Sequence, residues 1–97
     1  MRTEFVLRGT LADAVESGSA TVAVERDIDG ETVGAALETL TDEYPALRAL
    51  VVNSRGNLRA HVALRRGGED VRDGEWLETP LSADETLELE PGTKGGC

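Results

Sequence analysis

The sequence predicts an α+β fold in which a mixed sheet of four to five strands packs on one main helix, followed by a flexible C-terminal tail. Three observations carry this expectation. Four short segments alternate apolar and polar residues with a period of two, as half-buried strands do. One segment, opening at Thr32, spaces its apolar residues as a helix does. The last residues, from Pro91 to Cys97, are glycine-rich and lack an apolar anchor.

The first strand covers 3–8, with Phe5 and Leu7 on one side and Gly9 at its end. Residues 11–16 form a short connector of about one helical turn, and Gly18-Ser19 reverses the chain. The second strand covers 20–25 with Ala20, Val22 and Val24 inward, so the first two strands make a hairpin. A turn over 27–30 follows. Thr32 is placed as an N-cap, because its hydroxyl can accept a free backbone N–H of the first turn. Val33, Ala36, Leu37, Leu40 and Tyr44 then make one apolar stripe, while Glu38, Thr41, Asp42 and Glu43 face water. Pro45 stops the helix, since the residue before a proline avoids the α region.

Leu47, Leu50, Val51 and Val52 form a patch expected to pack under the helix. Residues 53–57 read as a loop and 60–66 as the third strand, with Val62 and Leu64 inward. Gly67-Gly68 is a hairpin signal, and 69–72 return as a short strand. A polar loop holds Trp76, Leu77 and Pro80, and 86–90 make the final strand. The order is hairpin, helix, hairpin, last strand, with one face of the sheet covered and the other wet. That is the β-grasp (ubiquitin-like) arrangement. Residues 1–91 are assigned to this domain and 92–97 to a flexible diglycine tail.

Composition narrows the function. The 97 residues suit one domain, and at 39% hydrophobic they can build a core. Phe5, Tyr44 and Trp76 are the only aromatics, so that core is aliphatic. There are 19 acidic residues against 10 basic ones, for a net charge of −9. Nucleic acid and anionic membranes would be repelled, so neither is expected as a partner. Of the cations only Lys94 is a lysine. An acid-rich, lysine-poor surface suits a protein kept soluble in high salt. No signal peptide or spanning run is visible, and the lone Cys97 can form no internal disulfide, which points to the cytoplasm.

Particular segments resemble a known family. The helix opening Thr32-Val33-Gly34-Ala35-Ala36-Leu37 and closing at Tyr44-Pro45 is similar to the main helix of the small subunit of molybdopterin synthase. Leu58-Arg59-Ala60-His61-Val62-Ala63-Leu64, Asp70-Val71-Arg72 and Thr79-Pro80-Leu81-Ser82-Ala83-Asp84-Glu85-Thr86-Leu87 resemble archaeal members of that group, and Gly95-Gly96 follows. With the acidic composition, the match narrows to the small archaeal modifier proteins and covers nearly the whole domain. The resemblance implies adenylation of the terminal glycine by a ubiquitin-activating-type enzyme. Attachment to protein lysines by isopeptide bonds, or sulfur transport as a thiocarboxylate, would follow. Three departures stand out. Leu89-Glu90-Pro91-Gly92-Thr93-Lys94 lacks the aromatic and paired prolines of many sulfur carriers. Arg66-Gly67-Gly68 lacks the usual asparagine. Cys97 follows the glycine pair.

The tail chemistry explains the glycines. A carboxylate becomes an electrophile only after transfer to AMP, a step needing Mg²⁺ and a phosphate-stabilising site. This chain has no Gly-rich loop ending in Lys and Ser/Thr. ATP and Mg²⁺ therefore belong to the activating enzyme, and no bound cofactor, metal or catalytic residue is expected here. Glycine clears a narrow channel and accepts unusual angles, and residues 92–96 reach roughly 17 Å when extended. Gly96 is assigned as the acyl donor and Gly95 as the channel-clearing residue. Lys94 is a candidate acceptor for chains of the protein on itself, against the simpler reading of a solubilising charge. Trypsin would cut after it and leave Gly-Gly on a target.

Other candidates carry less. Cys97 has no partner to lower its pKa; it is either an added handle or a native extension removed by a protease. His61 alone is a poor metal ligand; it faces outward and joins Val6, Ala23 and Ala63 in a candidate partner-binding face, or is a plain surface histidine. Asp27/Asp29 and Asp42/Glu43 read as solvated acids at a turn and a helix end. The function expected is a protein modifier, not an enzyme, with sulfur transfer as a second role of the same tail. Its expected partners are the adenylating enzyme, lysine-bearing targets and a deconjugating metalloprotease. A dedicated sulfur carrier for molybdopterin or tRNA thiolation, and a non-covalent β-grasp binding module, are the alternatives.

Overall fold

Alternation in the first strand sets the whole architecture. In the computed structural model, which describes residues 2–54, 62–71, 76–82 and 84–91, β1 (Arg2–Arg8) buries Thr3, Phe5 and Leu7 and turns Arg2, Glu4, Val6 and Arg8 outward. It pairs antiparallel with β2 (Thr21–Asp27), Phe5 opposite Val24. On its other side it pairs parallel with β5 (Thr86–Pro91), Leu7 opposite Leu89. β5 also pairs antiparallel with β3 (Val62–Arg66), and β3 with the short β4 (Glu69–Asp70). The sheet order is β2-β1-β5-β3-β4, so the last described strand is the central one.

Among the described residues, three α-helices cover one face. The connector after β1 is α1 (Thr10–Val15), which buries Leu11 and Ala12. The main helix is α2 (Val33–Glu43), and its N-cap is as expected: Thr32 Oγ1 accepts the Ala35 N–H at 3.1 Å. Such a cap contributes about 1 kcal/mol. Val33, Ala36, Leu37 and Leu40 are buried against Phe5, Leu7, Leu64, Leu87 and Leu89 in one aliphatic core. Pro45 ends α2 and also starts α3 (Pro45–Val51), where it stands at the first helical position and its missing N–H costs nothing.

Several expectations shift. Ala20 is exposed rather than inward. Thr41 is buried, not wet, and its hydroxyl donates to the Leu37 carbonyl at 2.9 Å, which lets a polar side chain sit inside a helix packing. Leu47 and Val51 pack inward, but Leu50 lies on the outer side of α3 and is 38% exposed. The turn after β2 hides Ile28 in the core. Trp76–Glu78 form a 3-10 turn rather than a loop. Gly67 and Gly68 both have positive φ, 59° and 90°, as a tight β3–β4 hairpin requires. No described helix is long and apolar enough to cross a membrane.

Candidate functional site

Among the described residues the helices pack on one face of the sheet, and the candidate partner-binding residues lie on the opposite face. Period-two alternation places Val6 and Ala23 there as direct cross-strand partners. Ala63 lies on the same face of β3, opposite Glu90 of β5. Val6 and Ala63 are half-buried and Ala23 is exposed. Three of the four expected face residues thus share a surface; His61 lies outside the described residues. Lys94, Gly95, Gly96 and Cys97 lie outside them too, as do all of 92–97.

Charged residues that the sequence reading did not single out complete this face. Arg8 Nη2 stands 3.3 Å from Glu88 Oε2, and Arg65 Nη1 stands 3.0 Å from Glu90 Oε1. These two pairs lace β1, β5 and β3 together around the small apolar positions. Nearer the other end, Thr86 Oγ1 donates to Glu4 Oε1 at 3.0 Å and Arg2 lies 3.6 Å from Glu25. Partly exposed pairs of this kind contribute about 0.2–1 kcal/mol each. They also arrange both signs of charge at fixed places beside Val6. The signal was present in the alternation of β1 and β5. It becomes visible only once β5 is known to lie between β1 and β3.

Of the two acidic pairs, Asp27 and Asp29 are exposed, whereas Asp42 and Glu43 each stand beside an arginine. Glu43 accepts two bonds from Arg26, at 2.7 and 2.8 Å, and these hold its carboxyl below the usual range. Asp42 stands 3.6 Å from Arg48. Arg26–Glu43 is a tight bidentate pair and Asp42–Arg48 a looser, exposed one, both away from the outer face. An open hollow of about 690 Å³ lies beside the β3–β4 turn, lined in part by Arg65 and Arg66. Both arginines are already engaged, Arg65 with Glu90 and Arg66 with the Pro80 carbonyl at 3.0 Å. Among the described residues no group of three or more His, Cys, Asp or Glu side chains is placed to hold a metal ion.

A mixed five-stranded sheet wrapped around one long helix, with parallel first and last strands at its centre and the chain leaving the central strand at Pro91, defines a ubiquitin-like β-grasp protein. The ThiS family profile matches residues 10–96. Small archaeal modifier protein 1 of Haloferax volcanii is 40% identical over 94 residues, covering 96% of this chain and 99% of that one. The crystal structure of that relative superposes with a TM-score of 0.77 over 99% of this chain and 100% of its own, at 36% identity. The solution structure of small archaeal modifier protein 1 from Methanosarcina acetivorans gives 0.77 at 26% identity, over 98% and 96% of the two chains. The chain belongs to the small archaeal modifier proteins, within the ThiS family of β-grasp sulfur-carrier homologues. These are carriers rather than catalysts.

Proposed function

We propose that this protein is a ubiquitin-like modifier whose Gly96 carboxylate is adenylated and then joined to lysines of target proteins. The observation that carries the reading is the 40% identity to a small archaeal modifier protein over almost the full length of both chains. The family match also runs to residue 96 and leaves Cys97 outside it. Hydrolysis of the Gly96–Cys97 peptide bond by a protease first frees the Gly96 carboxylate and releases cysteine. A carboxylate oxygen of Gly96 then attacks the α-phosphorus of ATP and pyrophosphate leaves. A lysine amine then attacks the acyl carbon, AMP leaves, and the amine loses its proton. Mg²⁺ and the phosphate-binding groups come from a ubiquitin-activating-type enzyme. Gly95 clears the approach to that enzyme's site, and the face around Val6, Ala23 and Ala63 docks on it. Lys94 is the one ε-amine through which the protein could be chained to itself. A metalloprotease that cuts the isopeptide bond completes the cycle. The reaction belongs to the cytoplasm, where ATP is available.

The same acyl adenylate attacked by sulfide would release AMP and give a thiocarboxylate. Membership in the ThiS family supports this second role. Mass spectrometry on protein from the native host tests both. Mature chains ending at Gly96, with Gly-Gly remnants on lysines of other proteins, are the expected result. Thiocarboxylate without remnants would move the assignment to a dedicated sulfur carrier. Chains still ending at Cys97, with neither product, would leave a non-covalent binding module.

A further inference from the structure

We propose that Gly9 and Pro91 form a seat that aims the C-terminal segment, making both of them positioning residues for activation of Gly96. The proposal rests on the acyl-donor reading above.

β1 and β5 run parallel at the centre of the sheet and end side by side, Leu7 opposite Leu89. After Arg8 the chain turns sharply at Gly9, whose φ of 63° and ψ of −136° fall where only glycine is unstrained. Gly9 is tied on both sides of that turn. Its N–H donates to the Ala20 carbonyl at 2.9 Å, and its own carbonyl accepts the Asp13 N–H at 3.1 Å. The turn exposes a bare Cα to β5. A Cβ at Gly9 would lie 3.1 and 3.2 Å from Cγ and Cδ of Pro91, so the proline ring packs tightly against the bare Cα and leaves a side chain there short of room by a few tenths of an ångström. On the far side Pro91 is in register with Val62 of β3, which is buried.

A proline in a central strand normally costs a ladder hydrogen bond and is excluded except at a strand end. Here it is the last residue of the central strand, clamped between two neighbours, and it fixes its own φ near −65°. The next residue is Gly92, the most permissive type. The described strand thus ends at a residue type that fixes its backbone, and the sequence continues with one that does not. Five residues span at most roughly 17 Å when extended, so a swing of about 30° at the root would move the far end by roughly 9 Å. Enzymes lose rate when a reacting group is misplaced by as little as about 1 Å. A fixed root reduces the directions that the carboxylate must search after the sheet face has docked.

The position of this contact separates it from simple core packing. Docking by the outer face sets how tightly the carrier binds its enzyme, whereas the root sets what fraction of docked carriers presents its carboxylate. The two effects divide between KM and kcat. The experiment is ATP–pyrophosphate exchange by the activating enzyme, using the chain with Cys97 removed, as wild type, Pro91→Ala and Pro91→Gly. Circular dichroism melts confirm that each variant is folded. The expected result is a kcat lowered about tenfold for Pro91→Gly, in line with freeing one backbone residue, and by less for Pro91→Ala, with KM unchanged. Gly9→Ala, which pushes on the ring and strains the turn, is expected to lower kcat in its folded fraction as well. Wild-type kcat in both folded Pro91 variants would overturn the proposal. No exchange by the wild-type chain would instead sink the acyl-donor reading, and the proposal with it.

Discussion

Arg26 on the edge strand β2 grips Glu43 at the end of α2 with both arms of its guanidinium, at 2.7 and 2.8 Å. The same guanidinium also reaches the Tyr44 hydroxyl at 2.8 Å and the Glu25 carbonyl at 2.7 Å. One side chain thus ties the free edge of the sheet to the end of the main helix. It also occupies a carbonyl of the edge strand, where unpaired groups invite pairing with another chain.

This pair makes stability depend on pH. The bonds from Arg26 hold the Glu43 carboxyl below its ordinary value of 4.5. A depressed folded value means the pair stabilises the protein above the unfolded pKa and stops doing so as pH falls through the folded one. Glu43→Gln is expected to lower the urea midpoint at pH 7. The difference from wild type should shrink to nothing as pH falls through the acid range below 4.5. A difference that stays constant with pH would show that packing by Glu43, not its charge, is at work.

Gly34 on α2 is kept bare by the 3-10 turn beneath it. A Cβ at this position would meet the Leu77 carbonyl oxygen at 2.9 Å and the Leu77 Cβ at 3.1 Å. Helix propensity alone favours alanine over glycine by about 1 kcal/mol. The contact opposes it, since overpacking against a backbone atom costs about 1–3 kcal/mol. Gly34→Ala is therefore expected to destabilise on balance, read as a lower denaturant midpoint at unchanged slope. A more stable variant would show that the 3-10 turn yields freely.

Thr3 presents the opposite case. Its side chain is fully buried in β1, and its hydroxyl has no hydrogen-bond partner among the described residues. An unsatisfied buried hydroxyl costs about 1–3 kcal/mol. Valine has nearly the same shape and a stronger preference for strands. Thr3→Val is expected to raise stability by about 1 kcal/mol, seen as a higher melting temperature. A loss of stability would mean that the hydroxyl is satisfied by a buried water.

Much of this architecture was legible in the residues, because period-two alternation and a capped helix are local signals. β1, β2, β5 and α2 fall within two residues of their expected limits, β3 ends at Arg66 as expected while residues 60 and 61 lie outside the described residues, and Gly67-Gly68 turns where it should. What the residues hid was long-range. Thr41 looked like a surface threonine because nothing local says that the helix is covered on that side. Ile28 sits in a polar turn, and only the fold carries it into the core. Pro45 was read as a stop because one proline both ends a helix and begins the next. The Arg8–Glu88 and Arg65–Glu90 pairs join residues far apart in the chain, and no spacing rule reaches that distance.

The outer face should act through binding alone. Val6 is half-buried beside the Arg8–Glu88 pair and directly opposite Ala23. A charged side chain there can turn to solvent, so Val6→Asp should change folding stability by no more than about 1 kcal/mol. A carboxylate introduced at the centre of a docking surface should be expensive once a partner covers it. The expectation is a KM for the activating enzyme raised tenfold or more, with kcat unchanged at saturation. An unchanged KM would place the docking surface elsewhere.

Salt sets two electrostatic effects against each other, and their ranges decide the outcome. The protein carries six ion pairs among its described residues, at 2.7 to 3.6 Å. It also carries a net charge of −9 within a radius of gyration of 12.2 Å. At about 0.01 M salt the screening length is about 30 Å, so the excess carboxylates repel one another across the whole molecule. At about 1 M it is about 3 Å, which ends that repulsion but barely reaches the contact pairs. Attraction survives high salt better than repulsion does. The melting temperature is therefore expected to climb steadily from about 0.01 M to about 1 M NaCl. A flat or falling curve would mean that the ion pairs outweigh the excess charge and that the acidic surface is no adaptation to salt.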